Sequence, residues 1–242
     1  MPGRPRNHSM PMNLLAAICV LILEFQVTYS LSVDLYQTEV LCGDLDYSDY
    51  AWLLVKWAVL GRHNNLRSKL ANGTQKNGNI GNQTFPTASN MSALKYDCQL
   101  EETALNISKQ CVNVTDPDFD HVDGNYATFD LNYRYDHGLL TYLLSDDLAD
   151  SVYGWWNTSI NDTPLVNLTP TYNDSRKIPF LQMANAATTK LGCAYSICNQ
   201  SSVSFVCQYG NPHVNVGIPI YKNGRPCSEC NRECENSLCV RV

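Results

Sequence analysis

Apolar positions along the chain fall into two regimes. In residues 49–70, Leu53, Trp57, Leu60 and Leu66 recur at roughly helical spacing, and the run stops before Asn72-Gly73, a natural left-handed cap. One long helix with a buried face is expected there. Residues 72–91 show neither a helical nor a strand period and are rich in Gly, Asn and Thr, so they are expected to form an exposed loop. Ser92 offers an N-cap for a second helix reaching about Lys109. A turn-rich acidic stretch over 112–136 follows, and then a third helical pattern from Gly138 to Trp156. From Lys190 to Tyr221 the pattern shifts to short β-type runs, KLGCAYSIC, VSFVCQYG and VNVGIPIY, which suit adjacent antiparallel strands. Helices first and strands afterwards predict an α+β layered domain rather than alternating βαβ units.

The N-terminus changes the picture of where this domain resides. Arg4 and Arg6 precede an apolar stretch over 14–23 that ends in small residues, the order of a secretory signal peptide, with cleavage expected after Ser30. Glu24 and Gln26 interrupt the run well short of the roughly twenty apolar residues of a membrane span. Without residues 1–30, the formal charge is one unit more negative than the −6 of the whole chain, and no strongly basic run remains, which argues against nucleic acid as a partner.

Of eleven cysteines, Cys19 falls in the signal segment. Cys42, Cys98, Cys111, Cys193, Cys198, Cys207, Cys227, Cys230, Cys234 and Cys239 form an even set suited to an oxidising compartment, where each bridge adds on the order of 2–4 kcal/mol. The last four lie in the tail from Pro226, which has too few apolar residues for a core and reads as a separate disulfide-tied lobe. A zinc site is the sharper alternative there, but the spacing between the outer pairs is far shorter than in a zinc ribbon. Asn-x-Ser/Thr acceptors at Asn72, Asn82, Asn90, Asn106, Asn113, Asn157, Asn161, Asn167, Asn173 and Asn199 make the chain a candidate glycoprotein.

The block FLQMANAATTKLGCA (180–194) resembles a signature of the CAP superfamily of sperm-coating, pathogenesis-related and venom-allergen proteins. FVCQYG (205–210) is similar to a second signature. HNNLR (63–67), MSALKYDCQLE (91–101) and the pair Trp155-Trp156 follow in the family's order. TTKLGCAYSIC and PIYKNGRPCSEC are most similar to the activation-associated secreted proteins of parasitic nematodes. The resemblance implies a three-layer α-β-α sandwich over 31–221, with its core at about 45–221, after the signal peptide 1–30 and before a small cysteine-rich hinge segment, 222–242.

That family's central cleft often holds two histidines and two glutamates, a set able to coordinate zinc. Here the resemblance places Pro179 at a histidine position, Asn185 at a usual tryptophan and Asn157-Thr158-Ser159 at a glutamate, and the glycine-glutamate-asparagine stretch has no counterpart in NYATFDLN. His121 is the candidate for the remaining histidine. The reading is therefore a non-enzymatic secreted protein with no catalytic residues, no metal ligands and no cofactor.

Other chemistry is thinner. No nucleophile elbow is present, and beyond the signal segment the histidines are His63, His121, His137 and His213. His63, beside Arg67 in the helix motif, suits packing or hydrogen bonding. Asp116, Asp118, Asp120 and Asp123 do not make up a complete calcium loop, since His121 and Ala127 stand where glycine and glutamate are needed. Tyr47, Tyr50, Trp52 and Trp57 suit the core first and a contact surface second. The expected activity is binding of extracellular ligands, host ligands included, through the loops 72–91 and 112–136. Extracellular sterol or lipid carriage is the alternative, and metal-dependent hydrolysis the disfavoured one.

Overall fold

The computed structural model describes residue 42 and residues 50–111, 123–130, 140–199, 201–231 and 233–240; in its first and third helices the side chains are described from Val59 and Asp146 onward. The signal segment with Cys19, the acidic residues Asp116, Asp118 and Asp120, and Tyr47, Asn113, His121 and His137 lie outside the described residues, as do the side chains of Tyr50, Trp52 and Trp57.

Three helices and a sheet carry the body. Helix α1 (Tyr50–Ala71) ends where Gly73 takes up φ +71°, as the Asn72-Gly73 cap requires. Strand β1 (Lys95–Tyr96) comes next, followed by helix α2 (Cys98–Ser108). The helix starts later than Ser92 because Asp97 is the better cap: its Oδ1 accepts from the backbone N–H of both Gln99 and Leu100 at 3.1 Å. Residues 95–96 instead pair with Lys190 and Leu191 of a later strand.

Strand β2 (Gly124–Asp130) lies within the stretch expected to be acidic turns. Helix α3 (Leu140–Asn157) continues into a 3-10 turn, Thr158–Ile160. A second 3-10 turn, Tyr172–Lys177, leads into the short helix α4 (Ile178–Ala184). Strands β3 (Lys190–Cys198) and β4 (Ser202–Tyr209) form the hairpin that the β-type runs predict. The third run, 214–221, is not a strand: Gly217 at φ +81° and Pro219 break any ladder, and the Val214 and Ile220 amides bond to Gln182 and Leu168 instead.

The sheet order is β1-β3-β4-β2, with β1 parallel to β3 and the other pairs antiparallel. Alternation along the strands assigns two faces. Gly192, Ala194 and Val206 turn toward α2, where Ala104 packs against Ala194 and Val206. A methyl group at Gly192 would stand 2.2 Å from the Glu101 nitrogen, so glycine is what lets α2 lie this close to β3. Cys193, Phe205 and Tyr209 turn the other way, and Trp155 of α3 stacks on Phe205 with ring centroids 5.2 Å apart. Helices α1, α3 and α4 pack on one another on this side, completing a three-layer α-β-α sandwich.

Residues 72–91 are less exposed than their composition suggests. Phe85 is buried against Phe180, Ala88 and Met91 are fully covered, and Gly78 approaches Pro164 so closely that a Cβ would fall 2.5 Å from its nitrogen. Strands β5 (Glu233–Glu235) and β6 (Leu238–Val240) form a hairpin near the C-terminus. It does not stand apart: the Cys239 amide donates to the Met91 carbonyl, the Ala93 amide donates to the Cys239 carbonyl, and Ser68 Oγ donates to the Asn236 carbonyl at 2.6 Å.

Candidate functional site

The helical motif HNNLR places His63 and Arg67 one turn apart, both fully buried on the inner face of α1. His63 Nδ1 lies 2.8 Å from the Val59 carbonyl, which accepts only, so the proton sits on Nδ1 and Nε2 is left to accept from the Tyr209 hydroxyl at 3.0 Å. The Tyr209 oxygen in turn accepts from Asn125 Nδ2 at 3.0 Å, and the same nitrogen donates to the Pro179 carbonyl at 3.0 Å. Burial lowers the His63 pKa to about 4, opposed by the Val59 contact and aided by the Arg67 charge. The imidazole is neutral at physiological pH. Burial raises Tyr209 well above the ordinary phenol value, so it too stays neutral.

Arg67 is a positive charge surrounded by backbone carbonyls. Its Nε and Nη2 donate to Ser92, its Nη1 to Met183 and Asn185, and its Nη2 also to Thr188, at 2.6–3.2 Å. Burial brings the guanidinium down to about 9, and it remains charged at neutral pH. The role is to tie α1, the segment around Ser92 and the C-terminal end of α4 into one unit.

This network occupies the region where the resemblance places a metal-binding tetrad. Pro179 and Asn125 meet through the hydrogen bond above, and Thr158 joins them: its Oγ1 accepts from the Phe180 amide at 3.2 Å and donates to the Trp155 carbonyl at 2.8 Å. Asn185 is used structurally, donating to the Pro212 carbonyl at 2.9 Å. Proline carries no ligand atom, and among the described residues no three His, Cys, Asp or Glu side chains converge as a metal group would need. Pro179, Asn125 and Thr158, the described residues of this region, bring no ligand set for a zinc ion. Tyr209 and Asn125 are members of this network that sequence reading missed; Tyr209 lies within the FVCQYG signature, whereas Asn125 is marked by nothing short of its place on β2.

Disulfides join Cys42 to Cys98, Cys111 to Cys198, Cys193 to Cys207, Cys227 to Cys234 and Cys230 to Cys239. Strand parity explains two of them. Cys193 and Cys207 are register partners on the face opposite α2, whereas Cys198 is on the α2 face, opposite the helix end at Cys111. The four tail cysteines are bonded in pairs and offer no thiolate to zinc.

Asn72, Asn82, Asn106, Asn157, Asn161, Asn167, Asn173 and Asn199 are exposed, and Asn90 is half-buried. Asn90 stands where two grooves meet. One, of about 420 Å³, runs along Pro212, Val214, Ile218 and Pro219; the other, of about 630 Å³, is bordered by Lys222, Glu229 and Asn231. Besides Ile218 of the first groove, the exposed large apolar side chains among the described residues are Ile80, Val166, Tyr172 and Ile197. Ile80 follows Asn79, whose amide donates to the Asp162 carbonyl.

A family model described as the cysteine-rich secretory protein family, CAP, matches residues 60–209. The Ancylostoma secreted protein of Ancylostoma caninum is 29% identical over 182 residues, an alignment taking in 73% of this chain and 41% of that protein, so the chain spans under half that relative's length. Among solved structures, BmVAL-1 superposes with a TM-score of 0.63 at 26% identity, covering 78% of this chain and 94% of that one. The crystal structure of NaASP2 with Zn2+ gives 0.61 at 28% identity, covering 76% and 94%.

Proposed function

Given that the chain belongs to the CAP family, we propose that it is a secreted, venom-allergen-like glycoprotein that acts by binding extracellular ligands, host ligands among them, rather than by catalysis. One observation carries this reading. Where a hydrolytic CAP cleft would need imidazoles and carboxylates facing a metal, this chain has Pro179, Asn125 and Tyr209 in a neutral hydrogen-bonded chain ending on a buried His63. Such a chain stiffens the interior and supplies neither a nucleophile nor an acid-base pair near neutral pH.

Secretion is supported by the signal-like N-terminus, by the five disulfides and by the secreted nature of the Ancylostoma relative. Among the described residues no helix is long and apolar enough to cross a membrane. We assign the binding face to the loops 72–91 and 112–136, and Ile80 of the first, at 60% exposure, is an apolar anchor available to a partner.

The test is capture of partners from host plasma and cell-surface proteins by the oxidised, glycosylated protein, with a lipid extract and elemental analysis of the same sample. A saturable protein partner supports the reading. A co-purifying lipid without one moves it to carriage, and one zinc ion per chain overturns it.

A further inference from the structure

We propose that Asn90 carries an N-linked glycan whose first sugars lie in the two grooves meeting at that residue, so that the chain covers this face with its own carbohydrate. The inference rests on the secretory reading above, since only a chain passing through a glycosylating compartment acquires the sugar.

Asn90 begins the acceptor Asn90-Met91-Ser92, and among the described acceptors it alone borders these grooves. Its carboxamide is held in one orientation, because Oδ1 accepts from the Lys222 amide at 2.9 Å. Among the described residues its Nδ2, the atom that bears the sugar, donates no hydrogen bond. Asn72 contrasts with it: Nδ2 already donates to the Ser68 carbonyl and Oδ1 accepts from Ser237, so one of its two amide hydrogens is committed to the protein.

The walls suit a sugar. An N-acetylglucosamine ring has an apolar C–H face and a polar rim. Pro212, Ile218 and Pro219 offer an apolar wall to the first, while Lys222, Glu229 and Asn231 offer donors and acceptors to the second. His213 also lines the first groove, and its buried ring nitrogen Nδ1 has no hydrogen-bond partner among the described residues, so a polar group of a sugar seated there is a candidate partner for it. Ile218, 58% exposed in the bare chain, is covered by the same ring.

The experiment uses the full protein secreted from eukaryotic cells. Peptide-N-glycosidase is applied to the folded sample in heavy-oxygen water, and each acceptor is read by mass spectrometry. Asn90 is expected to be occupied and to lose its glycan about tenfold or more slowly than Asn82 and Asn173, the difference vanishing once the protein is reduced and unfolded. Ser92→Ala removes the acceptor but keeps Asn90 and its Lys222 contact, and it is expected to speed hydrogen exchange across 212–222. An unmodified Asn90 beside occupied Asn82 or Asn173 overturns the proposal, as does release at the rate of those sites. Sugar missing from every acceptor overturns it together with the secretory reading, which separates the two failures.

Discussion

The Tyr209 hydroxyl donates to His63 Nε2 at 3.0 Å, a single hydrogen bond that joins the end of β4 to the middle of α1 through the interior. Because the imidazole is wholly buried and neutral, protonating Nε2 takes away the acceptor of the Tyr209 hydroxyl and adds a second buried positive charge near Arg67.

Acid should therefore destabilise the fold through His63. The unfolded histidine takes a proton near pH 6.5 and the folded one only near 4, so the unfolded state holds more protons between those values. Stability falls as pH drops through that window, by about 3 kcal/mol in all, and levels off below it. Urea midpoints of the wild type and His63→Gln across this range will check it: the variant should lose this part of the pH slope. An unchanged slope would mean that His63 titrates normally.

Arg67→Lys should be costly although it preserves the charge. Lysine has three donors on a flexible stem and cannot serve four carbonyls arranged around a planar fork. Stranded carbonyls at Ser92, Met183, Asn185 or Thr188 should cost about 3 kcal/mol, and the thermal midpoint should fall by roughly 6–12 °C. Scanning calorimetry reads it directly.

Trp155→Ala should open a void on the β4 face of the sheet. It removes the stack on Phe205 and the indole hydrogen bond to the Tyr126 carbonyl at 3.0 Å. A loss of about 3–5 kcal/mol is expected in chemical unfolding.

Pro179→His should not create a zinc site. The neighbours it would join, Asn125 and Thr158, bring no carboxylate and no second imidazole. Elemental analysis of the variant is expected to find zinc well below one ion per chain; stoichiometric metal would mean that groups beyond the described residues complete the set.

The long elements were legible because their periods are strong: α1, α3, β3 and β4 begin and end within a few residues of where the apolar spacing puts them. What stayed hidden depends on partners distant in sequence. Strand β2 is a strand because β4 offers seven register partners, and its short sequence GNYATFD has turn-like residues at both ends. Residues 214–221 have strand-like composition but join no ladder, and the Val214 and Ile220 amides are taken by Gln182 and Leu168. In the site, Pro179 and Asn185 were readable as substitutions against a family pattern. The bond between Asn125 and Tyr209 was not, because only the β2–β4 register brings them within reach.

The Cys111–Cys198 bridge clamps the end of α2 to the end of β3, and on the far side Asp123 is held by its carbonyl, which accepts from the Tyr209 amide at 3.1 Å. Two fixed posts thus stand at either end of residues 112–122. Among the described bridges, Cys111–Cys198 is the one that ties the chain before residue 112 to the chain after residue 122. A chain nicked between Cys111 and Asp123 should therefore migrate as one species until a reductant opens that bridge, and as two fragments afterwards.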